Sequence, residues 1–306
     1  MKSWYNQRMS EFVPLSSENI CKLLPYFRSP ASRACDSTIG AVYQWRKIYD
    51  TYVAELDGLL LIRADYEGFG EGYTYPLGEG DYAAALTCME TDARLRGMPF
   101  RLSVVPEDAL PFLRKRYGNR MRAETHRDWA DYIYDPQNFL AYAGKALHAQ
   151  RNHVNRFRRE HPFALASSVT PELLPACMEF LDAYVAESDP VDAGAAAETE
   201  GARDLLVLRK ELGQMAYCII EDGRVAALTI GEVAGDTLVV HVEKALKGFV
   251  GAYPAIAQAL VRAAGEGIRF VNREDDAGDP GLRYSKTNYR PLYLLDKYAV
   301  TLSDGK

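Results

Sequence analysis

Two titratable side chains lie two residues apart in a segment rich in β-branched residues. The segment 237–243 reads TLVVHVE and carries His241 and Glu243. Because side chains alternate along a strand with a period of two, a strand here places both groups on one face. Either group could accept a proton from an amine or hydroxyl nucleophile, which is the task of a general base. A pair that is simply satisfied inside a sheet is the other interpretation.

A loop with two glycines follows this strand and precedes a helical pattern. It contains Gly248 and Gly251, then Ala252 and Tyr253, and Pro254 lies in the first helical turn, where its missing N–H is harmless. Small residues let backbone N–H groups approach an anion, and a helix N-terminus attracts negative charge. We therefore predict that Gly248, Gly251, Ala252 and Tyr253 bind an anionic donor or cofactor. A plain tight turn is the alternative, because the loop matches no strict phosphate fingerprint.

A charged cluster follows the next predicted strand. The segment 272–276 reads NREDD, and Arg283 and Lys286 come shortly after it. Ligands gather at the carboxyl ends of strands in open α/β sheets, so this position favours a functional cluster. Asp275 or Glu274 could serve as a base, while Arg283 and Lys286 could hold a carboxylate or phosphate group. An acidic loop with internal ion pairs is the alternative interpretation.

A locally basic segment lies earlier in the chain, at 145–161. It contains five Lys or Arg residues and three His residues against a single acid, Glu160. Such a cluster could bind a phosphate-rich partner, an RNA or an anionic lipid headgroup, with Arg151 and Arg156 as candidate contacts. A solvated helix face is the alternative, because local basic runs on helices are frequent.

The elements that must position these residues recur in the same order in both halves of the chain. Each half reads as helices, three strands, a helix, a strand, a helix and a strand. In the second half the strands are predicted at 214–221, 224–232 and 236–243, the next helix at 253–266 and the last strand at 290–298. Short turns make the three strands an antiparallel meander, and the later strands follow crossover connections. A repeat of this length indicates a duplicated domain.

We predict an α+β protein with two domains, at residues 1–135 and 136–306, the second opening with a linker helix over 136–162. A chain of 306 residues is longer than one typical core supports. The first half carries Glu79 and Asp81 where the second has its glycine loop. Because their charge would repel an anionic donor, we assign the chemistry to the second domain.

The composition is that of an ordinary globular protein without bulk affinity for nucleic acid, since its net charge is −6. The five cysteines form no C-x-x-C pair, and His148 and His153 have the wrong spacing to share a metal. These patterns predict reduced thiols and no metal site. Residues 1–9 lack the apolar region of a signal peptide, and the longest apolar run is too short to span a bilayer. We expect a cytoplasmic protein without a transmembrane segment.

Several motifs together resemble known bacterial transferases. They lie at 144–157, 241–244, 251–253, 271–275 and 281–286. The meander, glycine loop and helix resemble the acyl-CoA N-acyltransferase (GNAT) core, and the duplication resembles the Fem-type peptidoglycan-bridge transferases. The motifs most closely resemble soluble bacterial proteins grouped with the C-terminal domain of phosphatidylglycerol lysyltransferases. The loop departs from the GNAT donor loop, which carries Arg or Gln three positions before its first glycine.

The resemblance implies two tandem GNAT-like domains, each a mixed, mainly antiparallel sheet flanked by helices. It implies acyl or aminoacyl transfer to an amine or hydroxyl, with acyl-CoA or aminoacyl-tRNA as donor co-substrate and no permanently bound cofactor. The acceptor would be a small molecule or lipid headgroup, and tRNA would be a partner. The catalytic candidates are His241, Glu243, Asp275 and Lys286. A non-catalytic GNAT-like binding or regulatory module is the alternative function.

Overall fold

The computed structural model of the protein describes residues 11–28, 32–66, 68–187 and 193–303. Among these residues, the chain forms two compact units. One unit takes in the residues up to 130 and those from 295 onward, and the other takes in residues 131–294. The segment 1–9, predicted not to be a signal peptide, lies outside the described residues.

The first unit contains a mixed sheet with helices packed against it. Its strands are β1 (Val13–Pro14), β2 (Tyr52–Leu56), β3 (Leu59–Tyr66), β4 (Gly70–Thr74), β5 (Leu77–Gly78), β6 (Arg101–Val105), β7 (Met121–Thr125) and, at the end of the chain, β15 (Tyr298–Leu302). Its helices are α1 (Leu24–Phe27), α2 (Ile39–Trp45), α3 (Tyr82–Arg96) and α4 (Leu110–Tyr117). The strand order is β1-β2-β3-β4-β6-β15-β7, with β5 beside β3.

The meander β2-β3-β4 of this sheet is antiparallel, and β4 then pairs in parallel with β6. A parallel pair needs a crossover, and α3 supplies it. The core between sheet and helices includes Leu59, Leu61, Leu86, Met89 and Leu113. These residues are buried because the strand alternation and the helical period both present apolar side chains to the same layer.

The second unit contains the other mixed sheet. Its strands are β8 (Asp131–Tyr134), β9 (Leu165–Ser168), β10 (Met215–Glu221), β11 (Arg224–Ala234), β12 (Thr237–Ala245), β13 (Phe270–Asn272) and β14 (Tyr293–Leu295). Its helices are α5 (Gln137–Leu140), α6 (His148–Glu160), α7 (Leu174–Glu187), α8 (Ala193–Val207), α9 (Ala252–Ala264) and α10 (Pro280–Asn288). The strand order is β14-β8-β13-β12-β11-β10-β9.

The strands β9 to β12 pair antiparallel, β12 pairs in parallel with β13, and β13 pairs antiparallel with β8. The helix α9 connects β12 to β13 and packs its apolar stripe, including Ile256, Leu260 and Val261, into the core of this unit. The predicted meander and the following helix are therefore confirmed. So is the mixed α/β architecture with two mixed sheets.

Two predicted elements are wrong. The linker helix expected at 136–162 is interrupted between α5 and α6, where Tyr142 and Gly144 have positive φ angles of 47° and 77° that a continuous helix excludes. The single last strand expected at 290–298 is two strands, β14 and β15, which belong to different sheets. Lys297 lies between the two strands, where it is buried and donates to the Asp36 carboxylate at 2.7 Å. This contact holds the segment through which the chain passes from one sheet to the other.

Among the described residues, no helix combines the length and the apolar character that crossing a membrane would require.

Candidate active site

The candidate site of the second unit begins at a β-bulge in β12. Ile230 of β11 pairs with Val242 and the next residue, Gly231, pairs with Val240, so His241 is the extra residue. A Cβ on Gly231 would lie 2.4 Å from the Val239 carbonyl oxygen, which explains the glycine at this close approach. The bulge interrupts the period-two alternation at His241, and bulges often redirect side chains beside active sites.

Two carboxylates flank the buried imidazole of His241. Its Nδ1 lies 2.8 Å from Oε1 of Glu274, and its Nε2 lies 3.0 Å from Oε1 of Glu232. The Gln214 amide also donates to Oε1 of Glu232, at 3.1 Å. Burial lowers the pKa of His241, but the two carboxylates outweigh burial and raise the pKa to about 9.

A second buried ion pair joins Glu243 to Arg273, the residue that follows β13. Arg273 Nη2 lies 2.6 Å from Glu243 Oε1, and the two side chains are only 10% and 9% exposed. The guanidinium also lies over the ring of Tyr289, 4.4 Å from its centroid. Burial raises the pKa of Glu243 despite the opposing charges of Arg273 and Lys286. The other carboxylate oxygen, Oε2, is buried and has no hydrogen-bond partner among the described residues, and the same holds for Nη1 of Arg273.

The ammonium of Lys286 completes the cluster from helix α10. This helix starts with Pro280 in its first turn and with Asp279 as its cap, whose carboxylate accepts from the Leu282 N–H at 2.6 Å. Lys286 donates to the backbone carbonyl of Asp275. Burial lowers the pKa of Lys286, against the opposing charges of Glu274 and Asp275. A lowered pKa is the direction that a lysine needs in order to accept a proton in a reaction.

The remaining charged candidates in this region take part in local structure. The Asp275 carboxylate accepts from the Ala277 N–H at 3.1 Å. Arg283 grips the buried Asp276 carboxylate through Nε at 3.0 Å and Nη2 at 2.8 Å, and the Tyr132 hydroxyl donates to the same carboxylate at 2.6 Å. Arg283 therefore fixes the loop between β13 and α10.

The glycine loop packs closely against helix α6. Gly251 has φ of 91°, and a Cβ there would lie 2.2 Å from the carbonyl oxygen of His153. The Ala252 N–H already donates to the Phe249 carbonyl at 3.0 Å. Gly248 is exposed with open space around it, and Tyr253 is 40% exposed. Of the residues predicted to bind an anion, Ala252 already uses its N–H within the loop, and Gly251 allows the loop to pack closely against α6.

The two basic candidates on helix α6 also have local partners. Arg151 donates to the carbonyls of Tyr142 at 2.6 Å and Gly144 at 3.2 Å, which ties down the segment before the helix. Arg156 forms an exposed ion pair with Glu160, four residues later, at 2.8 Å. Exposed pairs of this kind contribute little to stability and leave the charges available to a partner.

The structure brings together some of the predicted catalytic residues and adds others. Glu243 and Lys286 belong to one cluster of largely enclosed charged side chains, and His241 joins it through Glu274. Sequence reasoning missed Arg273 and Glu232. The sequence held a signal for each. Arg273 directly follows a buried strand, Glu232 is the acid within an apolar strand, and a charged residue needs a partner when it is buried.

A mixed α/β fold with a buried cluster of carboxylates, a guanidinium and an amine at the strand ends is compatible with group transfer. The sequence profile of the family described as "Phosphatidylglycerol lysyltransferase, C-terminal" matches residues 27–301. The chain therefore belongs to this family, and so to a family of transferases.

Known structures and sequences include proteins that are similar to this chain over much of its length. A conserved protein of unknown function from Bacteroides thetaiotaomicron is 28% identical, with 95% of this chain and 99% of that chain covered and a TM-score of 0.86. The C-terminal domain of a putative lysylphosphatidylglycerol synthetase from Agrobacterium fabrum is 13% identical, with 94% and 93% covered and a TM-score of 0.65. An uncharacterized protein from Mycoplasmoides gallisepticum is 19% identical over 177 residues, and the match spans 57% of this chain and 57% of that protein.

Proposed function

We propose that the second unit transfers an aminoacyl group from aminoacyl-tRNA to an amine or hydroxyl of a small molecule or lipid headgroup. The observation that carries the proposal is the second oxygen of the Glu243 carboxylate. It is buried beside Arg273 and has no hydrogen-bond partner among the described residues.

An unpartnered buried acceptor costs about 1–3 kcal/mol, so its retention favours a ligand that supplies the missing donor. The first oxygen of Glu243 already pairs with Arg273, and an ammonium is the donor that suits the remaining carboxylate oxygen best. The aminoacyl ester of tRNA carries an α-ammonium next to the reacting carbonyl. A simple acyl thioester has no donor at that position.

Lys286 is our candidate for the proton acceptor in the transfer. The nucleophile of the acceptor forms a bond to the ester carbonyl carbon, and the bond from that carbon to the ribose oxygen of tRNA breaks. The proton of the nucleophile passes to the Lys286 amine and then to the departing ribose oxygen. The lowered pKa of Lys286 supports this role, because burial increases the fraction of the amine that is neutral and able to accept a proton.

An acyl-CoA donor has less support from this site. The Ala252 N–H that would face a pyrophosphate is engaged with Phe249, and Gly251 is packed against His153. The exposed charge of helix α6 supports a tRNA partner instead, with Arg159 72% exposed. The similarity to the C-terminal domain of a putative lysylphosphatidylglycerol synthetase from Agrobacterium fabrum also supports aminoacyl transfer. An aminoacyl-tRNA donor would place the reaction in the cytoplasm.

We further propose that the two units are tandem GNAT-like domains, and that the second holds the donor. In each sheet an antiparallel meander is followed by a helix and a parallel strand, which supports a shared origin of the two sheets.

Thermal-shift and transfer assays on the whole chain test the proposed activity. We expect a mixture of charged tRNAs to raise the melting temperature more than uncharged tRNA or acetyl-CoA, because only the charged donor carries the ammonium. Glu243→Gln should weaken binding of charged tRNA about tenfold or more, since a hydrogen bond to a charged group contributes about 1.5–3 kcal/mol. The matched control is Glu90→Gln in the first unit, where the carboxylate pairs with Arg116 at 3.0 Å.

Two outcomes would contradict the proposal. A larger shift with acetyl-CoA than with charged tRNA would favour acyl transfer. The absence of a shift with every donor would favour the non-catalytic binding or regulatory module.

A further inference from the structure

The two contacts of the His241 ring impose a condition on its protons. A neutral imidazole has one N–H donor and one acceptor nitrogen. Both ring nitrogens of His241 lie within 3.0 Å of a carboxylate oxygen, one from Glu274 and one from Glu232. With a neutral ring and two ionised carboxylates, one of these contacts would place two acceptors against each other. An imidazolium, with an N–H toward each carboxylate, satisfies both contacts.

We propose that His241 is held as an imidazolium that fixes the Glu274 carboxylate next to Lys286, and that His241 is thereby a positioning residue of the transfer site. The inference rests on the proposed function insofar as Lys286 is the group that accepts the proton. It adds a residue that does not itself contact the reacting groups.

The backbone of Glu274 supports this role. Its φ angle is +57°, in the left-handed region that residues with a side chain rarely adopt. Its N–H donates to the Asn272 side chain at 2.7 Å, and its carbonyl accepts from the Tyr132 N–H at 3.1 Å. The Asn272 amide in turn donates to the Asp131 carboxylate at 2.8 Å. A rare backbone conformation held from several sides is typical of a functional site, and His241 adds the contact that holds the side chain.

Charge connects Glu274 to Lys286. Lys286 donates to the carbonyl of the next residue, Asp275, and the Glu274 charge stabilises the Lys286 ammonium against burial. His241 in turn stabilises the ionised form of Glu274, although burial opposes it. Loss of the imidazolium would favour the neutral form of Glu274, and the pKa of Lys286 would then fall further. The contact between His241 and Glu274 thus limits the effect of burial on Lys286 and keeps its amine basic enough to take the proton of the nucleophile.

The charged groups around His241, Glu274 and Lys286 come from each element that borders these three residues. Glu232 lies on β11, Glu243 on β12, Asp131 on β8 and Lys286 on α10. Arg273, Glu274 and Asp275 lie on the loop after β13, where the Arg273 charge lowers the pKa of Lys286 and the two carboxylates raise it. A purely structural triad would need only the contacts of His241 with its two carboxylates. A positioning role requires in addition that a change at His241 alters Lys286.

NMR on the whole chain tests both parts. In the native protein at pH 7.5, ¹⁵N spectra of the His241 ring should show a proton on Nδ1 and on Nε2. In His241→Asn, the titration midpoint of the Lys286 side chain, followed with labelled lysine and assigned with Lys286→Met, should fall by about one pH unit. The control is His161→Asn, since His161 contacts Glu221 at 2.6 Å outside this cluster and its loss should leave the midpoint unchanged.

A single protonated ring nitrogen in the native protein would overturn the inference without any variant. An unchanged Lys286 midpoint in folded His241→Asn would do the same. Should that variant not fold, Glu232→Gln removes one carboxylate and should reduce the protonation of the ring at pH 8.5, as seen in the same ¹⁵N spectra. Absence of transfer activity combined with the expected NMR results would count against the proposed function alone.

Discussion

The helices that follow the two meanders begin differently. In the first unit, Asp81 caps α3 by accepting from the N–H groups of Ala83 and Ala84 at 2.9 and 3.0 Å. In the second unit, α9 begins at Gly251 without a side-chain cap. The first helix therefore satisfies its terminal donors with its own carboxylate, whereas the second has no such group. Helices in the same place in the order of elements thus begin with different contacts: a side-chain carboxylate caps α3, whereas the Ala252 N–H at the start of α9 donates to the Phe249 carbonyl.

The buried arginines of the two units differ in a related way. Arg63 of β3 pairs with Asp92 at 3.0 Å, and the Tyr73 hydroxyl donates to the same Asp92 oxygen at 2.6 Å. Asp92 keeps 20% of its side-chain surface, so water can reach it. The Glu243 carboxylate that pairs with Arg273 has a buried oxygen without a partner. The first pair has a second donor in Tyr73 and access to water, whereas the second keeps a buried acceptor, Glu243 Oε2, and a buried donor, Arg273 Nη1, without hydrogen-bond partners among the described residues.

The largest effect should come from removing each arginine. Arg273→Met leaves the Glu243 charge buried and unpaired, so it should lower the free energy of unfolding by about 3–5 kcal/mol. Arg63→Met should cost less, about 1–3 kcal/mol, because Asp92 retains Tyr73 and water. Urea unfolding at pH 7 measures both values. Equal losses would remove the contrast between the two ion pairs.

The pH dependence of stability separates the units next. The His241 pKa of about 9 lies above its ordinary 6.5, so the stabilisation is complete below pH 6.5 and is lost as the pH rises through 9. The loss should be on the order of 3 kcal/mol, at about 1.4 kcal/mol per pKa unit. His241→Asn should flatten this part of the profile. His126→Asn removes the histidine packed on Trp129 in the first unit and should leave the loss of stability between pH 6.5 and 9 unchanged. A flat stability profile of the native protein over this range would contradict the prediction.

Two glycines with positive φ, one in each unit, separate the cost of backbone strain from the cost of close packing. Gly251→Ala introduces both left-handed strain and a Cβ that meets the His153 carbonyl, so it should cost about 3 kcal/mol. Gly97→Ala, at the end of α3, has φ of 69° but open space, so strain alone should cost about 1 kcal/mol. Denaturant midpoints of the two variants give the difference. A similar cost at both positions would show that the loop can move away from α6.

The smallest effect concerns the cap itself. Asp81→Ala removes the acceptor for the N–H groups of Ala83 and Ala84 and should destabilise the protein by about 1 kcal/mol. Asp81→Asn should retain most of that stability, because an amide oxygen also accepts. Thermal melts of both variants check this, and an unchanged Asp81→Ala melt would mean that water replaces the cap.

The local elements of the second unit were predictable, whereas the contacts of the site were not. The strands β10 to β12 follow from β-branched alternation and from turns such as Asp222-Gly223, which act over neighbouring residues. The bulge at His241 and its contacts with Glu232 and Glu274 depend on how distant strands pair, which periodicity does not encode. The exchange of sheets at Lys297 was missed for the same reason, since its partner Asp36 lies near the other end of the chain.

The position of β15 has a consequence for synthesis. β15 lies between β6 and β7 and joins them into one sheet, but the ribosome makes it after all of residues 131–294. Until then the first sheet ends at β6, with unpaired backbone groups along that edge. The second unit is therefore complete in sequence before β15 can pair with β6 and β7 and close the first sheet.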